Sequence, residues 1–127
     1  MTYTSPSRLA VICKTLSSCA APGLWTDFTS ISHGTTTEGR LRHPRMLPLR
    51  GRGYEVPDEW RSRRRNFGTD ELVAAIQRAA ATVQAGDDRV RLGVGDMSRV
   101  RGGDVIGHSS HESGRDVDLI FYNVDRK

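Results

Sequence analysis

The clearest periodicity lies in the second half of the chain. Leu72, Ile76, Ala79, Ala80 and Val83 recur at helical spacing and form one apolar stripe. Thr69 or Gly68 stands at the start, and Asp70 and Glu71 place negative charge in the first turn, where the helix dipole favours it. Gly86 reads as the stop. The pattern predicts a helix over 70–84 with its stripe in the core. Val90, Leu92 and Val94 then alternate with Arg91, Gly93 and Gly95, the period of two expected of a strand. Residues 96–114 have no period and many glycines and serines, so they read as a long irregular loop, a feature that in a small domain usually carries function. A second strand is expected over 115–122, with Val117, Leu119 and Phe121 on one face and Asp116, Asp118 and Ile120 on the other.

Upstream the pattern is broken. Residues 39–67 carry Pro44, Pro48 and Pro57 with Gly39, Gly51 and Gly53. Loops and short strands are expected there, anchored by Leu41, Met46, Leu47, Leu49, Tyr54, Val56 and Trp60. Residues 1–38 are rich in Ser, Thr, Gly and Pro and read as a leader and irregular segment ahead of a domain over 39–127. There is no internal repeat. The whole reads as an α+β fold, a partial antiparallel sheet with a packed helix.

The chain has 127 residues, room for one domain, and no apolar run approaches the roughly 20 residues of a transmembrane helix. The net charge is +4, and Lys14 and Lys127 are the only lysines. Arg40, Arg42, Arg45, Arg50, Arg52, Arg61, Arg63, Arg64 and Arg65 fall in one stretch. Such a run is either a solvated face or a surface for an acidic polymer. No aromatic interleaving accompanies it, which argues against a specific nucleic-acid partner. Cys13 and Cys19 are spaced for a small disulfide loop and not as a zinc-ligand pair. Residues 8–21 (RLAVICKTLSSCAA) faintly resemble a secretory signal, and Leu16-Ser17-Ser18-Cys19 resembles a lipoprotein cleavage box. Lys14 interrupts the apolar run and weakens both. The expected location on this reading is the periplasm or cell envelope. Oligomeric state is not legible.

The candidate chemistry lies in the loop and second strand. His108, His111, Asp116 and Asp118 fall within eleven residues. Imidazole nitrogen and carboxylate oxygen both suit zinc. Asp116 and Asp118 alternate with the strand period and are expected to face one pocket. The spacing alone is a weak signal, and the same residues could simply solvate a glycine-rich loop.

A longer match sharpens this. GDMSRVRGGDVIGHSSHESGRDVDLIFY, residues 95–122, resembles the signature region of the penicillin-insensitive murein endopeptidases. These are zinc peptidases related to the D-alanyl-D-alanine dipeptidases and lysostaphin-type enzymes. The pattern of Ser, His, Gly and Asp is met by Ser109, His111, Gly114 and Asp118. GRLRHPRMLPLRGRGYEV (39–56) and RNFGTDELVAAIQRAA (65–80) are also similar, so the resemblance spans 32–122. It implies a hedgehog/D-Ala-D-Ala peptidase-like fold, lacking its C-terminal part, and a Zn2+ cofactor. It implies that His111 and Asp118 are zinc ligands and that His108 is a ligand or close neighbour. Ser109 and Asp116 would orient those ligands. Arg99 and Arg101 would face the anionic peptide termini of the substrate or make a structural salt bridge. The implied activity is zinc-dependent cleavage of D-alanyl-meso-diaminopimelate cross-links in peptidoglycan.

The chain departs from the family at one place. The family completes its site with a His-x-His pair far downstream, whereas Lys127 follows Asp118 by nine residues and no histidine intervenes. His33 and His43 lie upstream, and His43 already has its counterpart within 39–56. The expectation is an N-terminal part of a longer enzyme, a weak metal binder and inactive alone, with the general base and third core ligand beyond Lys127. The alternative is a non-catalytic peptidoglycan-binding module that uses the inherited pocket and the arginine-rich face.

Overall fold

The computed structural model describes residues 29–124, the last four through their backbone. The leader-like stretch 8–21, with Cys13 and Cys19, lies outside the described residues. The element order is β1 (Ile31–Gly34), β2 (Gly39–Arg42), β3 (Arg45–Met46), β4 (Arg50–Gly51), β5 (Tyr54–Glu55), α1 (Asp58–Arg61), β6 (Phe67–Gly68), α2 (Asp70–Gly86), β7 (Val90–Val94) and β8 (Leu119–Val124). Part of the stretch read as irregular is therefore a strand, since β1 pairs antiparallel with β2 from Ile31↔Arg42 to Gly34↔Gly39.

Helix α2 starts where its capping residues say it should. Thr69 is extended, and its hydroxyl accepts from the Leu72 N–H at 3.2 Å. The start is tied again by Ser30, whose hydroxyl accepts from the Asp70 N–H at 2.7 Å while its own N–H donates to Asp70 Oδ2 at 2.9 Å. The helix runs through Gly86 instead of ending at 84, and Asp87 closes it with an N–H to the Val83 carbonyl at 3.2 Å. Its buried face is rotated from the expected stripe. Val73, Ile76 and Ala80 are buried, Leu72 is partly buried, and Ala79 and Val83 are exposed. The sheet covers only one side of α2, so the flank of the stripe that carries Ala79 and Val83 stays in solvent.

The main sheet has the order β4-β5-β7-β8. It is mixed, not antiparallel as expected: β5 pairs parallel with β7, and the other two pairs are antiparallel. The reason is topological. The chain leaves β5, crosses through α2 and returns beside β5 in the same direction, as parallel pairing requires. Strand β8 begins at Leu119, four residues later than expected, opposite Val94. Between Ile120↔Gly93 and Tyr122↔Leu92 the register slips by one residue at Phe121. The expected two-face alternation over 115–122 therefore fails. Val117 packs on the core from the loop, whereas Leu119 is 58% exposed.

The core joins Leu47, Tyr54, Val56, Val73, Ile76, Ala80, Leu92, Val94 and Met97. Of the expected upstream anchors, Leu41, Leu47, Tyr54 and Val56 are buried and Trp60 is partly so. Met46 and Leu49 are exposed, because each adjoins buried Leu47 or the short β4 on an extended path that turns alternate side chains outward.

Gly53 links sheet and helix. It has φ +79°, and a Cβ there would meet the Ala80 carbonyl oxygen at 2.2 Å. Its own carbonyl accepts from the Leu92 N–H at 2.8 Å. Gly53→Ala is expected to lose more than about 1 kcal/mol from the φ penalty alone, read as a lower urea midpoint with an unchanged slope.

Candidate metal centre

The loop over 95–118 connects β7 to β8 and is irregular, as expected, but it is tied at both ends. Gly95 N–H donates to the Asp118 carbonyl at 2.7 Å, and Asp118 N–H donates to the Asp96 carbonyl at 2.9 Å. Further along, Met97 N–H donates to the Arg65 carbonyl at 2.7 Å and Gly103 N–H to the Glu112 carbonyl at 2.9 Å. Glu112 reaches back to β2, where its carboxylate accepts from Gly39 N–H at 3.0 Å. Gly114, the glycine of the motif, has φ +75°, and a Cβ there would meet Leu41 Cδ2 at 2.7 Å, so the loop packs on β2 only because this residue has no side chain.

These ties bring His108, His111 and Asp118 together. One donor atom from each lies within 4.8 Å of the others. His111 Nε2 is 3.3 Å from Asp118 Oδ2, and His108 Nδ1 is 3.8 Å from the same oxygen. The two rings meet edge to face with centroids 5.1 Å apart. A tetrahedral zinc with ligand bonds of about 2.0–2.1 Å holds neighbouring donors roughly 3.4 Å apart. The His111–Asp118 separation matches that spacing and the His108–Asp118 separation is wider, and both imidazole and carboxylate are zinc ligands. The residues present therefore fit a zinc ion.

Asp116 acts behind His111. Its Oδ2 accepts from the His111 backbone N–H at 3.0 Å and lies 3.0 Å from His111 Nδ1, off the line of a hydrogen bond to that ring nitrogen. His111 is buried and has φ +72°, a left-handed conformation rare for a residue with a side chain. Asp116 therefore holds a strained backbone in place and leaves Nε2 pointing at Asp118. Only Asp118 joins the candidate cluster, Asp116 standing on the far side of the His111 ring, and both belong to the loop and not to the strand.

Other expected residues lie elsewhere. Ser109 is exposed and has no side-chain hydrogen bond among the described residues. Arg99 donates to the Asp104 carbonyl at 3.1 Å. Arg101 lies with His33 and His43 at a separate cavity of about 630 Å³. Neither Arg99 nor Arg101 makes an ion pair among the described residues, so the expected structural salt bridge is not formed. Neither His33 nor His43 joins the metal cluster.

Sequence reasoning missed Asp96, Arg63 and Arg65. Asp96 is 1% exposed, and its Oδ2 accepts from Arg63 at 2.8 Å and Arg65 at 3.3 Å. The same oxygen is 3.0 Å from His108 Nε2. The arginine run hid two residues turned inward. The available signal was Asp96 itself, a carboxylate directly after an apolar strand.

A loop that gathers two histidines and an aspartate able to hold a metal ion, beside a small mixed sheet, defines the class as an α+β chain with a candidate metal site. The sequence profile of the penicillin-insensitive murein endopeptidases matches residues 32–127, and the chain belongs to that family. The penicillin-insensitive murein endopeptidase of Escherichia coli O17:K52:H18 is 32% identical over 131 residues, covering 95% of this chain and 45% of that protein. The one from Shigella dysenteriae serotype 1 is 31% identical with the same coverage. The chain spans a little under half the length of the curated relatives it matches. No helix among the described residues is long and apolar enough to cross a membrane.

Asp116→Ala is expected to cost about 1–3 kcal/mol of stability, because it leaves the buried His111 N–H without its acceptor. Chemical denaturation of the metal-free chain measures it.

Proposed function

We propose that this chain carries the zinc centre of a murein endopeptidase that cleaves D-alanyl-meso-diaminopimelate cross-links in peptidoglycan. The observation that carries this reading is the convergence of His108 Nδ1, His111 Nε2 and Asp118 Oδ2 in a chain of that family. The relatives are named murein endopeptidases, and their activity belongs to proteins about twice this length. The substrate places the action in the periplasm or cell envelope.

When bound, zinc would polarise the scissile carbonyl and lower the pKa of a coordinated water to near neutrality. The chain's own residues prepare that site. Buried His111 is oriented by Asp116 and offers Nε2. Asp118 is half-exposed, so the centre opens to solvent on its side and substrate can approach there. A catalytic zinc keeps three protein donors and one open position for water, and His108, His111 and Asp118 are the candidate donors this chain offers.

Calorimetric titration with zinc tests the reading. The wild-type chain is expected to take up one zinc, with at least a tenfold loss of affinity in both His111→Ala and Asp118→Ala. Equal stoichiometry and affinity in all three proteins would reject it.

A second reading, a non-catalytic peptidoglycan-binding module, draws on the cavity rimmed by Arg40, Arg42 and Arg101 over Leu41 and Val100. Cosedimentation with purified sacculi, weakened by salt, is its expected outcome. Absence of retention at low salt sinks it.

A further inference from the structure

We propose that the cavity between the β1–β2 ribbon and the turn at Val100 and Arg101 is a binding site for a phosphate ester carried on a hydrocarbon body. The phosphate meets Arg40, Arg42 and Arg101, and the hydrocarbon lies on the wall beside Val100. The proposal goes beyond the peptidoglycan-binding reading of the same cavity and does not depend on zinc, since none of the three metal-cluster residues lines it.

The strand period builds the site. Gly39 and Leu41 alternate with Arg40 and Arg42 along β2, the first pair buried and the second exposed. The buried face packs on the loop, where Leu41 lies against Gly114. The exposed face includes His33, which stands opposite Arg40 in the β1–β2 register. The loop supplies the other wall. Gly102 N–H donates to the Arg99 carbonyl at 2.9 Å, which folds a turn with Val100 and Arg101 at its corner. The Arg101 carbonyl accepts from the Leu41 N–H at 3.0 Å, and this fixes the turn beside β2.

The structure also sorts the arginine run. Arg50, Arg61, Arg63 and Arg65 each meet a carboxylate. The Arg42 and Arg101 guanidinium groups have no hydrogen-bond or ion-pair partner among the described residues, and no Asp or Glu lines the cavity. Arg40 donates from Nη1 to the adjacent Gly39 carbonyl at 3.0 Å. Its guanidinium rests against Gly103, where a Cβ would meet Nη1 at 2.6 Å. A guanidinium carries several N–H donors, so Arg40 is held in place and still has donors for a ligand.

The ligand class follows from wall and rim. The cavity holds about 630 Å³, the size of a small-molecule site. Its wall is mostly carbon although arginines line it, so their methylene stems lie along the wall and their charged heads stand at the rim. Such a wall favours hydrocarbon, and such a rim favours an anion. A carboxylate brings one charge and two oxygens. A phosphate ester brings three terminal oxygens and roughly two charges, a better match for three guanidinium groups. The cations surround a hollow instead of spreading over a flat face, so the occupant is a single molecule and not a membrane surface.

Calorimetric titration of the full chain at low ionic strength with octyl phosphate, kept below its micelle-forming concentration, tests the site. One octyl phosphate per chain is expected. Octyl glucoside, octanoate and inorganic phosphate should each bind at least about tenfold more weakly, the effect of losing one charge-assisted contact or the apolar one. Arg42→Gln and Arg101→Gln alter exposed side chains, so each should keep the thermal midpoint and weaken octyl phosphate about tenfold. Val100→Asp should weaken it by spoiling the wall. Absence of octyl phosphate uptake, or undiminished uptake in all three variants, would overturn the proposal. So would equal affinity for octyl glucoside, octanoate or inorganic phosphate, the last meaning an adventitious ion only. Sedimentation with sacculi in a chain that ignores octyl phosphate defeats this inference and leaves the peptidoglycan-binding reading standing.

Discussion

Two backbone hydrogen bonds close the neck of the loop over 95–118, from Gly95 N–H to the Asp118 carbonyl and from Asp118 N–H to the Asp96 carbonyl. Closing a loop of this length carries an entropic cost that grows only slowly with length. Once the neck is shut, Asp96 and Asp118 lie side by side. Everything in the centre follows from that adjacency. Asp118 supplies the oxygen that both histidines face, and Asp96 supplies the buried carboxylate behind His108.

The buried carboxylate would be costly without partners, since a charge removed from water must be paired and hydrogen-bonded. Two arginines meet that requirement at Oδ2, while the buried Oδ1 has no hydrogen-bond partner among the described residues. They come from the segment between α1 and β6, whose backbone is itself bonded to the loop through Arg65 to Met97 and Phe67 to Ser98. The left-handed His111 is a second local cost, of the kind that concentrates at functional sites when the surroundings enforce it. Asp116 does the enforcing by accepting the His111 N–H. The centre is thus an arrangement of compensated penalties: a buried charge offset by guanidinium groups and a strained backbone held by a carboxylate.

Membership of the murein endopeptidase family and the geometry of the three donors support each other while resting on different observations. The family match draws on 32–127 as a string of residues. The convergence of His108, His111 and Asp118 is a matter of distance. The chain matches under half the length of its relatives, so the catalytic cycle is a proposal about the larger architecture in which this centre works.

The elements with local signals were legible along the chain: helix α2 from Thr69 onward, the strand around Leu92, and the irregular loop after it. The residue types available for zinc were legible too, because ligand chemistry belongs to the side chain. The local pattern misplaced the face of α2, the start of β8 and the antiparallel character of the sheet. Those depend on what packs against each element and on where the chain returns, neither of which is encoded in a local period. The Asp96–Arg63–Arg65 cluster was illegible for the same reason. Arginines in a basic run look like surface until a buried carboxylate thirty residues away turns two of them inward. Only the tertiary structure could decide that, since an ion pair is stabilised by distance in space and leaves no period along the chain.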